Sequence, residues 1–136
     1  MKKKMEQKTT KKYKVYFDGN KSAGGVSCSY LILGDKSLSE SNIEQTVMLP
    51  ENTTVPEAEY NGLIKALEFL IAKVKNPEDV ELEIFGDSQL IVNQVLGKFE
   101  CTKPQLKILR SKVRNLLDKF NKWSLVWVPR QENLVK

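Results

Sequence analysis

The pattern of hydrophobic and polar residues divides the chain into two kinds of element. Runs rich in β-branched and aromatic residues, closed by Gly, Asn, Asp or Pro, predict strands over 13–17, 26–33, 42–48, 80–85 and 123–128. In the other segments the hydrophobic residues recur every three to four positions, which predicts helices over 56–74, 88–96 and 105–120. The predicted order of elements is therefore β-β-β-α-β-α-α-β.

The connections between these elements predict how the strands pair. Short turns with Gly, Asn or Asp, the first of them predicted at Asp18-Gly19-Asn20, join the first three strands, which favours antiparallel hairpins. A helix precedes each of the last two strands, as in the right-handed crossover connections of parallel strands. We expect an α/β domain with a five-stranded mixed sheet, three antiparallel strands followed by two parallel ones, over residues 13–136. The lysine-rich residues 1–12 are expected to form a flexible basic arm.

Composition excludes several kinds of chemistry. The chain of 136 residues has no histidine, so catalysis by a Ser-His pair and nearly all zinc catalysis are excluded. Its two cysteines, Cys28 and Cys101, form no disulfide framework and are interpreted as reduced thiols of a cytoplasmic protein. The sequence shows no apolar segment long enough for a signal peptide or a membrane span.

The net charge of +5 is unevenly distributed along the chain. Residues 15–97 are acidic, whereas the N-terminal arm and residues 98–122 are basic. In the last predicted helix, Lys103, Lys107, Arg110 and Arg114 recur at spacings of four, three and four. This spacing places them on one flank of the helix, which predicts contacts with a nucleic-acid phosphate backbone. A solvated helix face is the alternative interpretation.

Three acids are predicted to converge at one edge of the sheet. Asp18 and Asp87 follow the first and fourth strands, and Glu59 lies in the first turn of the helix that begins at the same edge. Taken singly, they are explained as a turn residue, a helix-capping residue and an acid near a helix N-terminus. Together they would repel one another unless a cation lies between them, and all-oxygen ligands favour Mg²⁺ or Mn²⁺.

Four short motifs in this order resemble those of type 1 ribonuclease H. They are Tyr16-Phe17-Asp18-Gly19, Ala58-Glu59-Tyr60, Gly86-Asp87-Ser88-Gln89, and Val128-Pro129-Arg130 with Asn133. The resemblance implies a monomeric endonuclease that hydrolyses the RNA strand of RNA–DNA hybrids with two metal ions. It also implies that Asp18, Glu59 and Asp87 are catalytic residues and ligands of Mg²⁺, for which Mn²⁺ can substitute.

The resemblance and the basic row together predict a nucleic-acid surface. Ser88 and Gln89 follow the third acid and could bind sugar hydroxyls, including the 2′-hydroxyl that distinguishes RNA from DNA. The complete set of expected contacts is Gly19, Asn20, Thr54, Ser88, Gln89, Lys103, Lys107, Arg110, Arg114, Arg130 and Asn133.

The sequence also departs from the family pattern. The family's fourth acid, an Asp about five residues beyond the Asn of the last motif, has no counterpart, since Lys136 ends the sequence. A truncated product, a site of three acids and the loss of cleavage are the three explanations. Two other functions stay open, a nuclease of this fold that acts on DNA and a catalytically silent nucleic-acid-binding module.

Overall fold

The computed structural model describes residues 11–34 and 42–135. Its five strands are β1 (Lys11–Ser22), β2 (Gly25–Leu33), β3 (Ile43–Leu49), β4 (Val80–Gly86) and β5 (Lys122–Trp127). Its three α-helices are α1 (Val55–Lys73), α2 (Gln89–Leu96) and α3 (Pro104–Leu117). Short 3₁₀ turns span Pro77–Asp79 and Arg130–Glu132. The predicted order of elements is confirmed.

The strands form one sheet in the order β3-β2-β1-β4-β5. β1 pairs antiparallel with β2, and β2 antiparallel with β3. β1 pairs parallel with β4, and β4 parallel with β5. The predicted mixed sheet of three antiparallel and two parallel strands is confirmed, with β1 at its centre.

The first strand is longer at both ends than the sequence predicts. It begins at Lys11, which pairs with Val80, so two residues of the predicted arm belong to the sheet; residues 1–10 lie outside the described residues. At its other end the prediction of a turn at Asp18-Gly19-Asn20 is wrong, because these residues pair with Ser29, Cys28 and Ser27. The chain reverses only between Ser22 and Gly25, and Gly25 adopts the positive φ of 126° that the hairpin needs.

The core lies between the sheet and the helices. Alternate residues of β1, Tyr13, Val15 and Phe17, are buried, as the two-residue period of a strand requires. The buried face of α1 packs against β1 and β2, and α3 packs against α1. On the opposite face of the sheet, the rings of Tyr16 and Phe85 stack at 4.8 Å. Among the described residues, no helix is both long and apolar enough to cross a membrane.

Candidate active site

The three predicted acids meet where the parallel part of the sheet ends. The pairing of β1 with β4 stops at Phe17 and Gly86. Asp18 and Asp87 are the next residues after this last pair, so they lie side by side at the edge of the parallel part of the sheet. Glu59 comes from the first part of α1. All three side chains are partly buried, and one carboxylate oxygen from each lies within 4.8 Å of the other two. The acids therefore form a single cluster, although Asp18 lies within β1 rather than beyond it.

Two glycines allow α1 to approach β1 closely enough to bring Glu59 to Asp18. A Cβ atom on Gly19 would lie 2.4 Å from the backbone nitrogen of Glu59. A Cβ atom on Gly62 would lie 2.7 Å from the carbonyl oxygen of Asp18. Both distances are shorter than real contacts, so any larger residue would push the helix away from the strand. The predicted nucleic-acid residue Gly19 thus has a structural role, and Gly62 was missed because an isolated helical glycine carries little signal in a sequence.

The electrostatics of the cluster favour protonation when no cation is bound. Burial raises the pKa of Glu59 to about 7, and repulsion from Asp18 and Asp87 acts in the same direction. Burial and repulsion from Asp87 likewise raise the pKa of Asp18. The nearby positive charge of Arg130 lowers both pKa values, so this predicted contact residue lies within electrostatic reach of the cluster. A cation bound between the carboxylates would offset both their mutual repulsion and the cost of burying their charges.

The donor set fits a hard divalent cation. Three carboxylates offer oxygen ligands, which Mg²⁺ and Mn²⁺ prefer, and the chain has no histidine to favour a softer metal at this edge. Their separation lets one oxygen of each acid face a common point. The cluster can therefore hold a divalent cation.

Ser88 links two of the acids. It is the N-cap of α2, where its hydroxyl oxygen accepts a hydrogen bond from the backbone N–H of Ile91 at 3.2 Å. Its side chain also hydrogen-bonds Glu59, which lowers the pKa of that carboxyl against the effect of burial. Because Ser88 directly follows Asp87, it ties the second acid to the third. Gln89 is exposed at the start of α2.

The end of β5 and the segment after it donate hydrogen bonds to the main chain beside the acids. The indole Nε1–H of Trp127 donates to the carbonyl of Asp87 at 3.1 Å. The side-chain amide of Asn133 donates to the carbonyl of Phe17 at 3.0 Å, and its oxygen accepts from the N–H of Val135. Asn133 is only 9% exposed, so its contact with nucleic acid stays a prediction, while its hydrogen bonds hold the main chain beside Asp18. No local pattern predicts the Trp127 contact, because it joins residues 40 positions apart in the chain.

Thr54 and Asn20 lie near the same edge in different settings. Thr54 caps α1: its hydroxyl accepts from the N–H of Glu57, whose carboxylate accepts from the N–H of Thr54. Asn20 is exposed in the part of β1 that pairs with β2. The contacts predicted for both with nucleic acid stay predictions.

The four predicted basic residues differ in their surroundings. Lys103 and Lys107 are exposed at the start of α3. Arg110 is partly buried and lines a cavity of about 470 Å³ with Lys107 and the loop 97–102. Arg114 donates two hydrogen bonds, at 3.1 and 2.7 Å, to the carbonyl of Val95 in the last turn of α2. One member of the row therefore joins two helices.

Comparison with protein families gives one match that covers most of the chain. Residues 39–135 match the model of a family described as reverse transcriptase-like. Among curated proteins, ribonuclease HI of Halobacterium salinarum is 42% identical over 77 residues, which are 57% of this chain and 37% of that protein. The aligned segment thus spans little more than a third of that relative.

Solved structures resemble the chain over nearly its whole length. Ribonuclease H1 of Halobacterium salinarum superimposes with a TM-score of 0.77 at 29% identity, covering 90% of this chain and 89% of that one. LC11-RNase H1, solved in complex with an RNA/DNA hybrid, also gives a TM-score of 0.77, at 28% identity over 90% of this chain and 88% of that one. The ribonuclease H domain of rv2228c from Mycobacterium tuberculosis, 24% identical with a TM-score of 0.70 over 91% of this chain and 86% of that one, shares the fold.

Proposed function

Because the chain belongs to the reverse transcriptase-like, type 1 ribonuclease H family, we propose that it hydrolyses the RNA strand of RNA–DNA hybrids. The observation that carries this proposal is the cluster of Asp18, Glu59 and Asp87, whose carboxylate oxygens lie within 4.8 Å of one another. The complex of LC11-RNase H1 with a hybrid supports the choice of substrate. A DNA substrate on the same fold is the competing proposal, and the experiment below distinguishes the two.

In this proposal the three acids hold Mg²⁺, or Mn²⁺ in its place. Bound divalent ions would supply Lewis-acid stabilisation of the phosphoryl oxygens and would lower the pKa of a water nucleophile. The hydrogen bond from Ser88 orients the carboxylate of Glu59, and the hydrogen bonds at Phe17 and Asp87 fix the main chain that carries the other two acids. These contacts preorganise the ligands before substrate arrives.

Recognition of the substrate falls to residues around the acids. Arg130 brings a positive charge to the acid cluster, where an incoming phosphate adds negative charge. The exposed Gln89 at the start of α2 is a candidate partner for a 2′-hydroxyl, which only RNA offers. Lys103 and Lys107 are candidate partners for backbone phosphates at the start of α3. Together these contacts favour a hybrid over duplex DNA.

The number of acids bears on the choice of metal. Among the described residues, the cluster offers three carboxylates, those of Asp18, Glu59 and Asp87, and no other metal-ligating side chain. Mn²⁺ binds such donor sets more tightly than Mg²⁺ and tolerates irregular geometry better. We therefore propose activity that is higher in Mn²⁺ than in Mg²⁺.

The test compares cleavage of four matched duplexes of one sequence: RNA–DNA hybrid, duplex DNA, duplex RNA, and a hybrid with 2′-O-methyl groups on the RNA strand. We expect metal-dependent cleavage of the unmodified hybrid alone. Cleavage of duplex DNA at a comparable rate would support the DNA nuclease instead. Tight binding of the hybrid without cleavage in either metal would support the silent binding module.

A further inference from the structure

The last residue of β5 reaches across the sheet edge to the third acid. Trp127 lies opposite Gly86 in the parallel pair of β4 and β5. Its indole N–H donates to the backbone carbonyl of Asp87 at 3.1 Å, and the N–H of the next residue, Val128, donates to the carbonyl of Gly86 at 2.9 Å. The carbonyls of Gly86 and Asp87 thus accept hydrogen bonds from the two consecutive residues Val128 and Trp127.

The carbonyl of Asp87 lies where regular pairing has ended. The parallel ladder of β4 and β5 stops at Gly86, and α2 begins only at Gln89. Asp87 is therefore flanked by the end of a strand on one side and by the N-cap Ser88 on the other. The indole hydrogen bond holds this carbonyl in place, and so restrains the main chain from which the Asp87 carboxylate extends toward Asp18 and Glu59.

The exposure of Trp127 indicates that packing is not its main contribution. The residue is 40% exposed, whereas Leu125 on the same face of β5 is 5% exposed. A tryptophan is favoured over a smaller apolar residue at such a position when its N–H has a partner. The partner here is the main chain of an acid in the cluster.

We propose that Trp127 is a positioning residue, whose indole N–H holds the Asp87 main chain so that its carboxylate faces Asp18 and Glu59. The proposal rests on the proposed function only in taking the cluster as a cation site. Its expected signature is weaker binding of the cation and a lower kcat, with little change in the KM for the hybrid, because the indole acts on Asp87 rather than on the nucleic acid.

The experiment measures Mn²⁺ binding by isothermal titration calorimetry, and separately kcat and KM, for Trp127→Phe. This variant keeps an aromatic ring and removes the N–H. The matched control is Trp123→Phe, since Trp123 lies on the same face of the same strand opposite Leu82, away from the acids. Loss of one neutral hydrogen bond predicts Mn²⁺ affinity about fivefold weaker in Trp127→Phe and unchanged in the control.

A second variant keeps the test decisive if Trp127→Phe does not fold. β-(3-Benzothienyl)alanine at position 127 keeps the bicyclic shape and replaces the N–H by sulfur, so it should fold and still show the weaker affinity. Unchanged Mn²⁺ affinity in this variant, or an equal loss in Trp123→Phe, would overturn the positioning role. Calorimetry measures Mn²⁺ binding to the cluster whether or not the hybrid is cleaved. Failure of the proposed function would appear separately, as the absence of cleavage by the parent protein.

Discussion

The acid cluster and the basic row of Lys103, Lys107, Arg110 and Arg114 are built in opposite ways. The cluster draws its three members from β1, α1 and the segment after β4, and it depends on contacts between residues far apart in the chain. The basic row comes from one helix and the residue before it, and helical periodicity alone puts its members on one flank. The cluster is partly buried and held by several hydrogen bonds, whereas Lys103 and Lys107 are exposed.

This difference decides what a substitution does in each region. In the cluster, side chains repel one another in the absence of a cation, so removing a charge should harm function and help stability. In the basic row, an exposed lysine contributes little to folding, so removing it should affect binding alone. Arg114 belongs to the basic row by its position in the sequence. Its two hydrogen bonds to the carbonyl of Val95, however, give it a structural role between α3 and α2.

The largest effect is expected for Asp18→Asn. Loss of one carboxylate should lower hybrid cleavage by on the order of 10³-fold, a loss typical of removing a preorganised electrostatic group. The same substitution should raise the midpoint of thermal unfolding in metal-free buffer, because Asp87 repels Asp18 and burial penalises its charge. Cleavage assays and thermal unfolding in EDTA measure the two effects.

The matched control for Asp18→Asn is Glu51→Gln, an exposed acid in the turn before α1. It should leave both cleavage and the unfolding midpoint unchanged. Full activity of purified Asp18→Asn would contradict the assignment of the cluster. A lower unfolding midpoint in EDTA would contradict the repulsion among the acids.

The pH dependence of stability should differ between the metal-free and the metal-bound protein. The folded-state pKa of Glu59 is about 7, above its ordinary value of 4.5, so the metal-free folded state holds a proton that the unfolded chain has released between these values. Stability should therefore fall as pH rises from about 4.5 to 7 and level off above, by about 1–2 kcal/mol once solvent screening is allowed for. The raised pKa of Asp18 acts in the same direction.

Urea unfolding in EDTA at several pH values measures this dependence, with Glu59→Gln as the comparison. Most of the slope should disappear in Glu59→Gln, which carries no titrating carboxyl at that position. Saturating Mg²⁺ should reverse the trend in the parent protein, because the cation binds the deprotonated cluster more tightly as pH rises. A parent slope that persists in Glu59→Gln would show that other groups cause it.

The same contrast explains which features the sequence predicts well. Hydrophobic periodicity reflects burial along one element, so the type and order of all eight main elements followed from it. The turn at Asp18-Gly19-Asn20 was mispredicted because these residue types favour turns, whereas pairing with Ser27 and Ser29 keeps them in β1. The acids were found because their motifs mark them, but Gly62 and Trp127 act through contacts that no local pattern records.

Arg114→Ala should lower stability more than it weakens binding. The guanidinium donates two charge-assisted hydrogen bonds to one carbonyl near the C-terminus of α2, an arrangement that the helix dipole favours. Its removal should cost about 1–2 kcal/mol in urea unfolding. The salt dependence of hybrid binding should stay within error of that of the parent protein. A flatter salt dependence with unchanged stability would instead show that Arg114 contacts a phosphate.

Lys107→Ala should weaken hybrid binding without lowering stability, and its effect should be the smallest of those predicted. Lys107 is exposed at the start of α3, so its loss should leave urea unfolding unchanged. If it neutralises one phosphate, its loss should reduce the slope of log K against log salt by roughly one unit and weaken binding alike for unrelated sequences. The control is Lys112→Ala, a lysine of the same helix whose ammonium lies 3.2 Å from the carboxylate of Glu68 on α1. Equal slopes for the parent and both variants would show that Lys107 lies on a solvated helix face and contacts no phosphate.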